Sequence, residues 1–171
     1  EGVVEDRGEG SQSPGAGSTV DLHQELVPSP ERLYMQQMHD YLQRIVRALT
    51  QAHGSPGVTV QACAGDIALE PERATLVGLI TTELVTNALQ HAFAPGSGGR
   101  VEDSLTRTED AYALRVSDNG VGMATALPTE PTALGLRLVQ MYAQRLHGRI
   151  HVDVDGGTRF DILFPLIRHA D

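Results

Sequence analysis

The stretch that decides the fold is Thr81–Phe93, TTELVTNALQHAF, which lies within a long and mostly apolar run. Its polar residues Glu83, Asn87 and His91 are spaced four apart, so on an α-helix they form one polar ridge. A helix this apolar is expected to be buried, and buried polar groups cost free energy unless they are bonded, bind a ligand or line a wet pocket. The alternative interpretation is a solvated stripe on an amphipathic helix.

The composition is that of one domain with a polar tail. The chain has 171 residues, of which 40% are hydrophobic and 4% aromatic, so we expect a core of Leu, Val, Ile and Ala. The net charge of −9 argues against nucleic acid or an anionic membrane surface as a partner. Cys63 is the single cysteine, which excludes a disulfide framework. No apolar run is long enough to span a membrane, and we expect a cytoplasmic location.

The order of the predicted elements indicates the fold class. Residues 1–30 begin with a run rich in Gly, Ser and Glu and are predicted to be a disordered linker or the stub of an upstream helix, and residues 31–168 form the folded domain. The domain is predicted to be α+β, a two-layer α/β sandwich with a mixed, mostly antiparallel sheet and helices on one face. The predicted elements are a helix at Glu31–Gln51, a strand at Val58–Ala64, a helix from Pro71, a hairpin of Val101–Thr106 and Tyr112–Ser117, a helix at Leu134–His147, and a hairpin of Arg149–Val154 and Thr158–Phe164.

Two glycine-bearing segments follow the central helix. Asp118–Gly122, DNGVG, comes directly after a predicted strand, but no returning strand follows it, which disfavours a plain hairpin turn. Ala133–Leu136, ALGL, opens a helix, where free backbone N–H groups and the positive end of the helix dipole suit a polyphosphate. The chain contains no G-x-x-x-x-G-K-[ST] motif, so a P-loop enzyme is excluded.

Taken together, four motifs resemble a known family. In chain order they are E-x-x-x-N on a helix, D-x-G-x-G after a strand, L-G-L at a helix start and G-G-T before the last strand. This order is similar to the ATP-binding domain of the GHKL superfamily (the Bergerat fold), which includes sensor histidine kinases, gyrase-type topoisomerases, heat-shock ninety chaperones and mismatch-repair ATPases. The resemblance covers roughly Tyr41–Pro165. The segments ELVTNALQHAF and LGLRLVQMYAQRLHG look most like bacterial histidine kinases of the HWE and HisKA_2 type.

The resemblance implies a site for Mg²⁺ and the ATP phosphates. Asn87 would bind the Mg²⁺ that bridges the phosphates, which suits a neutral oxygen donor beside a hard cation. Glu83 would position a metal-bound water or accept a proton from the attacking group, and His91 would lie near the phosphates. Gly135 and Leu136 would form the phosphate-side end of the lid.

The resemblance also implies a site for the adenine base. Asp118 would accept a hydrogen bond from the adenine amino group, and Gly120 and Gly122 would let the backbone approach the nucleotide closely. Thr158 would support the base pocket from the last strand. Ala124–Thr132 would be the lid over the nucleotide.

The implied function is that of the catalytic ATP-binding domain of a two-component sensor histidine kinase. It would transfer the γ-phosphoryl group of ATP to a histidine on a dimerisation domain, supplied by the protein's own upstream region or by another chain. A response regulator would be a further partner, and the whole protein is expected to be a homodimer. The alternative is an anti-sigma-factor-like module or serine kinase of the same superfamily, whose box also reads N-A-x-x-H-A. A degenerate protein without nucleotide binding is disfavoured by the intact motifs.

Two features depart from the family pattern. Gln90 stands where many histidine kinases have a basic residue, which removes a phosphate contact. No convincing phosphoacceptor helix is present: His39 is followed by Asp40, but the sequence around them lacks the usual Pro or Arg/Asn-rich continuation. We interpret His39 as a surface histidine, so the phosphoacceptor is expected outside this fragment.

Overall fold

The computed structural model describes residues 35–122 and 134–166. The elements in these ranges are β1 (Gln36–Gln37), α1 (Met38–His53), β2 (Val58–Ala64), β3 (Ala68–Leu69), α2 (Pro71–His91), β4 (Gly99–Arg107), β5 (Ala111–Asp118), α3 (Leu134–Arg145), β6 (Arg149–Asp153) and β7 (Thr158–Pro165). The predicted tail, residues 1–30, and the predicted lid, Ala124–Thr132, lie outside the described residues.

The main sheet has five strands in the order β2-β4-β5-β7-β6. The β2–β4 pair is parallel, with α2 as its crossover, and the other three pairs are antiparallel. Along β4, β5 and β7 alternate residues are buried in the same core as the apolar residues of the helices, while the intervening residues are more exposed. This confirms the predicted two-layer sandwich with a mixed, mostly antiparallel sheet.

The start of the first predicted helix is wrong. The helix begins at Met38 rather than Glu31, because the backbone just before it is extended and pairs with β3. Gln36 pairs with Leu69, and the Met38 N–H donates to the Ile67 carbonyl at 2.9 Å. Glutamine is a good helix former, so nothing in the local sequence indicates this strand. The helix ends at His53, two residues beyond the predicted Gln51, because Gly54 is extended.

The central helix α2 is buried because it contacts α1, α3, β4 and β5. Pro71 lies in its first turn, where a missing N–H has no cost. Gly78 allows close contact with α1, since a Cβ there would lie 2.5 Å from the hydroxyl oxygen of Tyr41. Its buried residues are Ala74, Leu76, Val77, Gly78, Ile80, Thr81, Leu84, Val85, Ala88 and Leu89. In the described ranges no helix has the length and apolarity needed to cross a membrane.

Candidate functional site

The E-x-x-x-N and L-G-L motifs meet where α2 passes the first turn of α3. Glu83 and Asn87 are half-buried and lie one turn apart on α2. A Cβ added to Gly135 would lie 2.7 Å from Oε2 of Glu83 and 3.8 Å from both Oδ1 and Nδ2 of Asn87. Glu83 and Asn87, two members of the polar ridge predicted on α2, therefore face Gly135, and the missing side chain at that position lets the backbone of α3 come close to the Glu83 carboxylate.

The two helices run in opposite directions, which explains this meeting. At the other end of the pair, Glu72 in the first turn of α2 forms an ion pair of 2.7 Å with Arg145 at the end of α3. The carboxylate of Glu83 consequently lies against the first turn of α3, where the helix dipole is positive. A phosphate group would be stabilised by the same helix end, provided that a cation offsets its repulsion from the Glu83 carboxylate.

The oxygen donors on α2 suit a hard cation that keeps some of its waters. Glu83 offers a carboxylate and Asn87 an amide oxygen, both of which are ligands that Mg²⁺ accepts. The part of the chain that the structure describes has no cluster of three or more His, Cys, Asp or Glu that could hold a metal. A Mg²⁺ ion here would therefore need further oxygens from water or from a bound phosphate, which is its usual coordination in nucleotide sites.

His91 and Leu136 occupy different environments from those two residues. His91 is the last residue of α2 and is exposed. Leu136 has its side chain in the core, with 6% of the residue exposed. Only the backbone of Leu136 could contact a ligand, because the side chain packs among the other apolar residues.

Asp118 ends β5 and is held in a fixed orientation. Its Oδ1 accepts hydrogen bonds from the Gly120 N–H at 2.9 Å and from the Thr158 N–H at 3.4 Å. Burial raises the pKa of the Asp118 carboxyl above its ordinary value, and these two hydrogen bonds act in the opposite direction. Thr158 is the residue opposite Asp118 in the β5–β7 ladder and is itself buried. Neither hydrogen bond uses Oδ2, so this oxygen is the better placed of the two to accept from a ligand.

The backbone around Asp118 packs so closely that two neighbouring positions can only be glycine. A Cβ on Gly120 would collide with the backbone carbonyl of Ala92, and one on Gly157 would collide with the carbonyl of Asp118. Gly157 has φ 134° and Gly122 has φ 78°, which favour glycine as well. Gly157 has no role of its own predicted from sequence, although the G-G-T motif contains it.

Asn119 is a second residue for which the sequence predicts no role. Its Oδ1 accepts from the Arg100 N–H at 2.7 Å, and its own N–H donates to the Arg100 carbonyl at 3.2 Å. Two residues later, the Val121 N–H donates to the carbonyl of Ala92 at 2.9 Å. The turn that carries Asp118 is therefore attached to the residue that follows α2, so it connects to the helix that carries Glu83 and Asn87.

Comparison with known proteins identifies the family. Residues 72–168 match the family described as "Histidine kinase-, DNA gyrase B-, and HSP90-like ATPase". The chain belongs to this ATPase family. This confirms the superfamily that the four motifs predicted, and membership implies ATP as the nucleotide.

Sensor histidine kinases are among the relatives of this ATPase domain. The chain is 30% identical over 174 residues to blue-light-activated histidine kinase 2 of Erythrobacter litoralis, covering 91% of this chain and 50% of that protein. It is 35% identical over 79 residues to the sensor histidine kinase PdtaS of Mycobacterium tuberculosis, covering 44% of this chain and 16% of that protein. The chain thus spans half or less of the length of these relatives.

A solved structure supports the same grouping. The histidine kinase domain from the Erythrobacter litoralis EL346 blue-light activated histidine kinase superimposes with a TM-score of 0.71 at 29% identity. The match covers 78% of this chain and 64% of that one. The fold of the ATPase domain described here is therefore that of a histidine kinase catalytic domain.

Proposed function

We propose that this chain is the catalytic ATP-binding domain of a two-component sensor histidine kinase. The observation that carries the proposal is the meeting of Glu83 and Asn87 with Gly135 at the first turn of α3, in a chain of this ATPase family. The named relatives are sensor histidine kinases, and none of those named above is an anti-sigma factor, which favours a histidine over a serine as the phosphoacceptor.

On the phosphate side, the residues of α2 and α3 would act mainly by positioning. Asn87 would hold Mg²⁺ through its amide oxygen, and the bound ion would neutralise phosphate charge. The backbone at Gly135 and Leu136 would approach the phosphates at the positive end of α3. Glu83 would orient water or take a proton from the attacking imidazole, with His91 nearby. Phosphoryl transfer depends largely on such positioning and charge stabilisation.

On the base side, Asp118 would select adenine. Its Oδ2 would accept the hydrogen bond of the adenine amino group, while Oδ1 stays bonded to the turn and to β7. Gly120 and Gly122 would let the backbone come close to the nucleotide, and Thr158 would orient Asp118 from the last strand.

The phosphoacceptor would be a histidine on a dimerisation domain, and the phosphoryl group would pass on to a response regulator. We do not assign this role to His39, because the sequence around it lacks the usual Pro or Arg/Asn-rich continuation. Its Nδ1 lies 3.0 Å from the carbonyl oxygen and 3.4 Å from the nitrogen of Ala64, so the ring is held against β2. We further propose a homodimer for the whole protein and a cytoplasmic location for this domain, where ATP and response regulators are found.

The test is autophosphorylation of the complete natural protein with Mg²⁺ and γ-labelled ATP. We expect an acid-labile, base-stable phosphohistidine, and Asn87→Ala should reduce the label by at least about 10- to 100-fold, the loss that follows removal of even an outer-shell group of a metal site. Thr75→Ala, on an exposed position of the same helix, is the matched control and should keep its activity. An acid-stable label on a serine of a partner would favour the serine-kinase alternative, and full activity of Asn87→Ala would contradict the metal assignment.

A further inference from the structure

The turn after β5 changes direction at Asn119. In the β4–β5 ladder Val101 pairs with Asp118, so the next rung joins Arg100 to Asn119. One hydrogen bond of that rung is regular, from the Asn119 N–H to the Arg100 carbonyl at 3.2 Å. In a regular antiparallel rung the Arg100 N–H would donate to the backbone carbonyl of Asn119. It donates instead to the side-chain Oδ1 of Asn119, at 2.7 Å. The side chain thus completes the rung, which leaves the backbone free to turn away.

The backbone that turns away after Asn119 is bonded to the residue that follows α2. The Val121 N–H donates to the Ala92 carbonyl at 2.9 Å, and Gly120 lies so close to Ala92 that a Cβ would not fit. The turn therefore touches the chain just after α2 and, through Arg100, the chain near the start of β4. These two points flank residues 93–99, which comprise the loop after α2 and Gly99, the first residue of β4.

This loop is itself closely packed. A Cβ on Gly99 would collide with the ring of Phe93, and Gly96, Gly98 and Gly99 all have positive φ angles. The Gly99 N–H also donates to the carbonyl of Gly57 at 3.0 Å, which ties the loop to the chain before β2. The loop and the turn are therefore joined at two places, and a change at either place would move Asp118 relative to α2.

We propose that Asn119 is a positioning residue that fixes the separation between the base-binding Asp118 and the metal-binding Asn87. This inference rests on the proposed function, because the separation matters only if one nucleotide contacts both residues. An asparagine here has the side-chain acceptor that the Arg100 N–H needs, whereas alanine would leave that N–H to water and would loosen the turn. Loss of the bond should reduce the selection of adenine more than it reduces the binding of phosphates.

The first experiment measures the affinity of the 171-residue chain for Mg-ATP and Mg-GTP by calorimetry. Asn119→Ala should weaken ATP binding by roughly two- to tenfold, the usual worth of one hydrogen bond, and should lower the ratio of ATP to GTP affinity. Asn119→Asp keeps the acceptor oxygen and should restore most of both values. Arg100→Ala removes the exposed side chain of the partner but keeps its backbone, and it should match the unchanged chain. A lowered Tm in Asn119→Ala with an unchanged affinity ratio would overturn the positioning role.

The second experiment needs no nucleotide. Amide hydrogen exchange in the free chain should be faster at Gly120 and Val121 in Asn119→Ala than in the unchanged chain, with no change in β6. If the unchanged chain fails to bind ATP, the proposed function is wrong. Unchanged exchange at Gly120 and Val121 would show separately that Asn119 does not hold the turn, which would overturn the inference.

Discussion

Asp103 is a carboxyl group in the middle of the apolar core. It is 1% exposed and lies on β4, and its Oδ2 accepts a hydrogen bond from the Thr81 hydroxyl at 3.1 Å. Its Oδ1 is buried and has no hydrogen-bond partner among the described residues. Burial raises the pKa of Asp103 to about 7, and the Thr81 hydrogen bond acts in the opposite direction. The group consequently keeps its proton in the folded chain at pH values where an exposed aspartate is ionised.

We predict that Asp103→Asn stabilises the domain above neutral pH. Between the ordinary pKa of 3.8 and the folded pKa of about 7, the folded state binds a proton that the unfolded state has lost, so the free energy of unfolding falls as pH rises through this window. Above it, the aspartate carries a buried charge and the asparagine does not. The free energy of unfolding of the variant should therefore exceed that of the unchanged chain by about 2–4 kcal/mol at pH 8.

The measurement is urea unfolding of both chains at pH 4 and pH 8. The stabilities should be similar at pH 4, because the aspartate is then neutral. Glu102→Gln, which removes a carboxylate from an exposed position of the same strand, is the control. An equal difference between Asp103→Asn and the unchanged chain at both pH values would contradict the assigned protonation.

At the scale of elements, two arginines connect the first turn of α2 to its neighbours, one in a half-buried site and one in an exposed site. Arg73 lies over the rings of Tyr112 and Phe164, at 5.6 and 5.0 Å from their centroids, and donates from Nη2 to the Pro165 carbonyl. Burial lowers the pKa of the Arg73 guanidinium. Arg145 pairs with Glu72 in an exposed ion pair, with exposed side-chain fractions of 59% and 72%. The first contact ties α2 to β5 and β7, and the second ties it to α3.

We predict that the half-buried arginine contributes more to stability than the exposed one. Arg73→Ala should lower the free energy of unfolding by about 1–3 kcal/mol, because it removes two cation–π contacts and a hydrogen bond. Arg73→Lys should recover only part of this stability, since a lysine ammonium cannot lie flat on the rings while it donates to the Pro165 carbonyl. Arg145→Ala serves as the matched comparison and should cost less than about 1 kcal/mol. Equal losses in guanidinium unfolding would refute this ranking.

At the scale of the whole molecule, the proposed nucleotide joins two sides of the domain that are also connected by the loop after α2 and by the packing of α2 on β4 and β5. The phosphate side consists of α2 and α3, and the base side consists of the turn after β5 with the start of β7. A ligand that contacts both sides binds only the folded chain and should stabilise it as a unit.

We predict that Mg-ATP raises the Tm and that Asp118→Asn removes most of this effect. A ligand at 100 times its Kd adds about 2.7 kcal/mol of stability. The amide of Asp118→Asn presents a donor to the adenine amino group, which is also a donor, so the base contact is lost. Mg-tripolyphosphate, which has no base, should stabilise the variant and the unchanged chain equally in thermal unfolding.

The matched control for this prediction is Asp153→Asn, which makes the same chemical change in an exposed ion pair with Arg159 on β6 and β7. Asp153→Asn should show the same rise in Tm with Mg-ATP as the unchanged chain. If Asp118→Asn loses the ATP shift and the tripolyphosphate shift together, Asp118 does not act through the base.

The predictions from sequence succeeded where the signal lies within one element and failed where it depends on a distant backbone. The helix from Pro71 was recognisable from its long, mostly apolar run, and the strands around it from alternation, because burial of one face of a strand imposes that period. The pairing of Gln36–Gln37 with β3 was missed, since two residues are too few to show a period. Leu136, which the family motif predicts at the phosphate side, could contact a ligand only through its backbone, because α3 buries its side chain in the core.

By itself, the sequence determined the order of the main helices and strands, the polar ridge on α2 and the family, since spacing along a helix and motifs at strand ends are local properties of the chain. Only the tertiary structure decided which groups meet. Glu83 faces Gly135 because α2 and α3 pack in opposite directions, and Asn119 completes a rung with Arg100 because β4 and β5 are in that register. Contacts of this kind depend on packing between segments far apart in the chain, and no local pattern of residues encodes them.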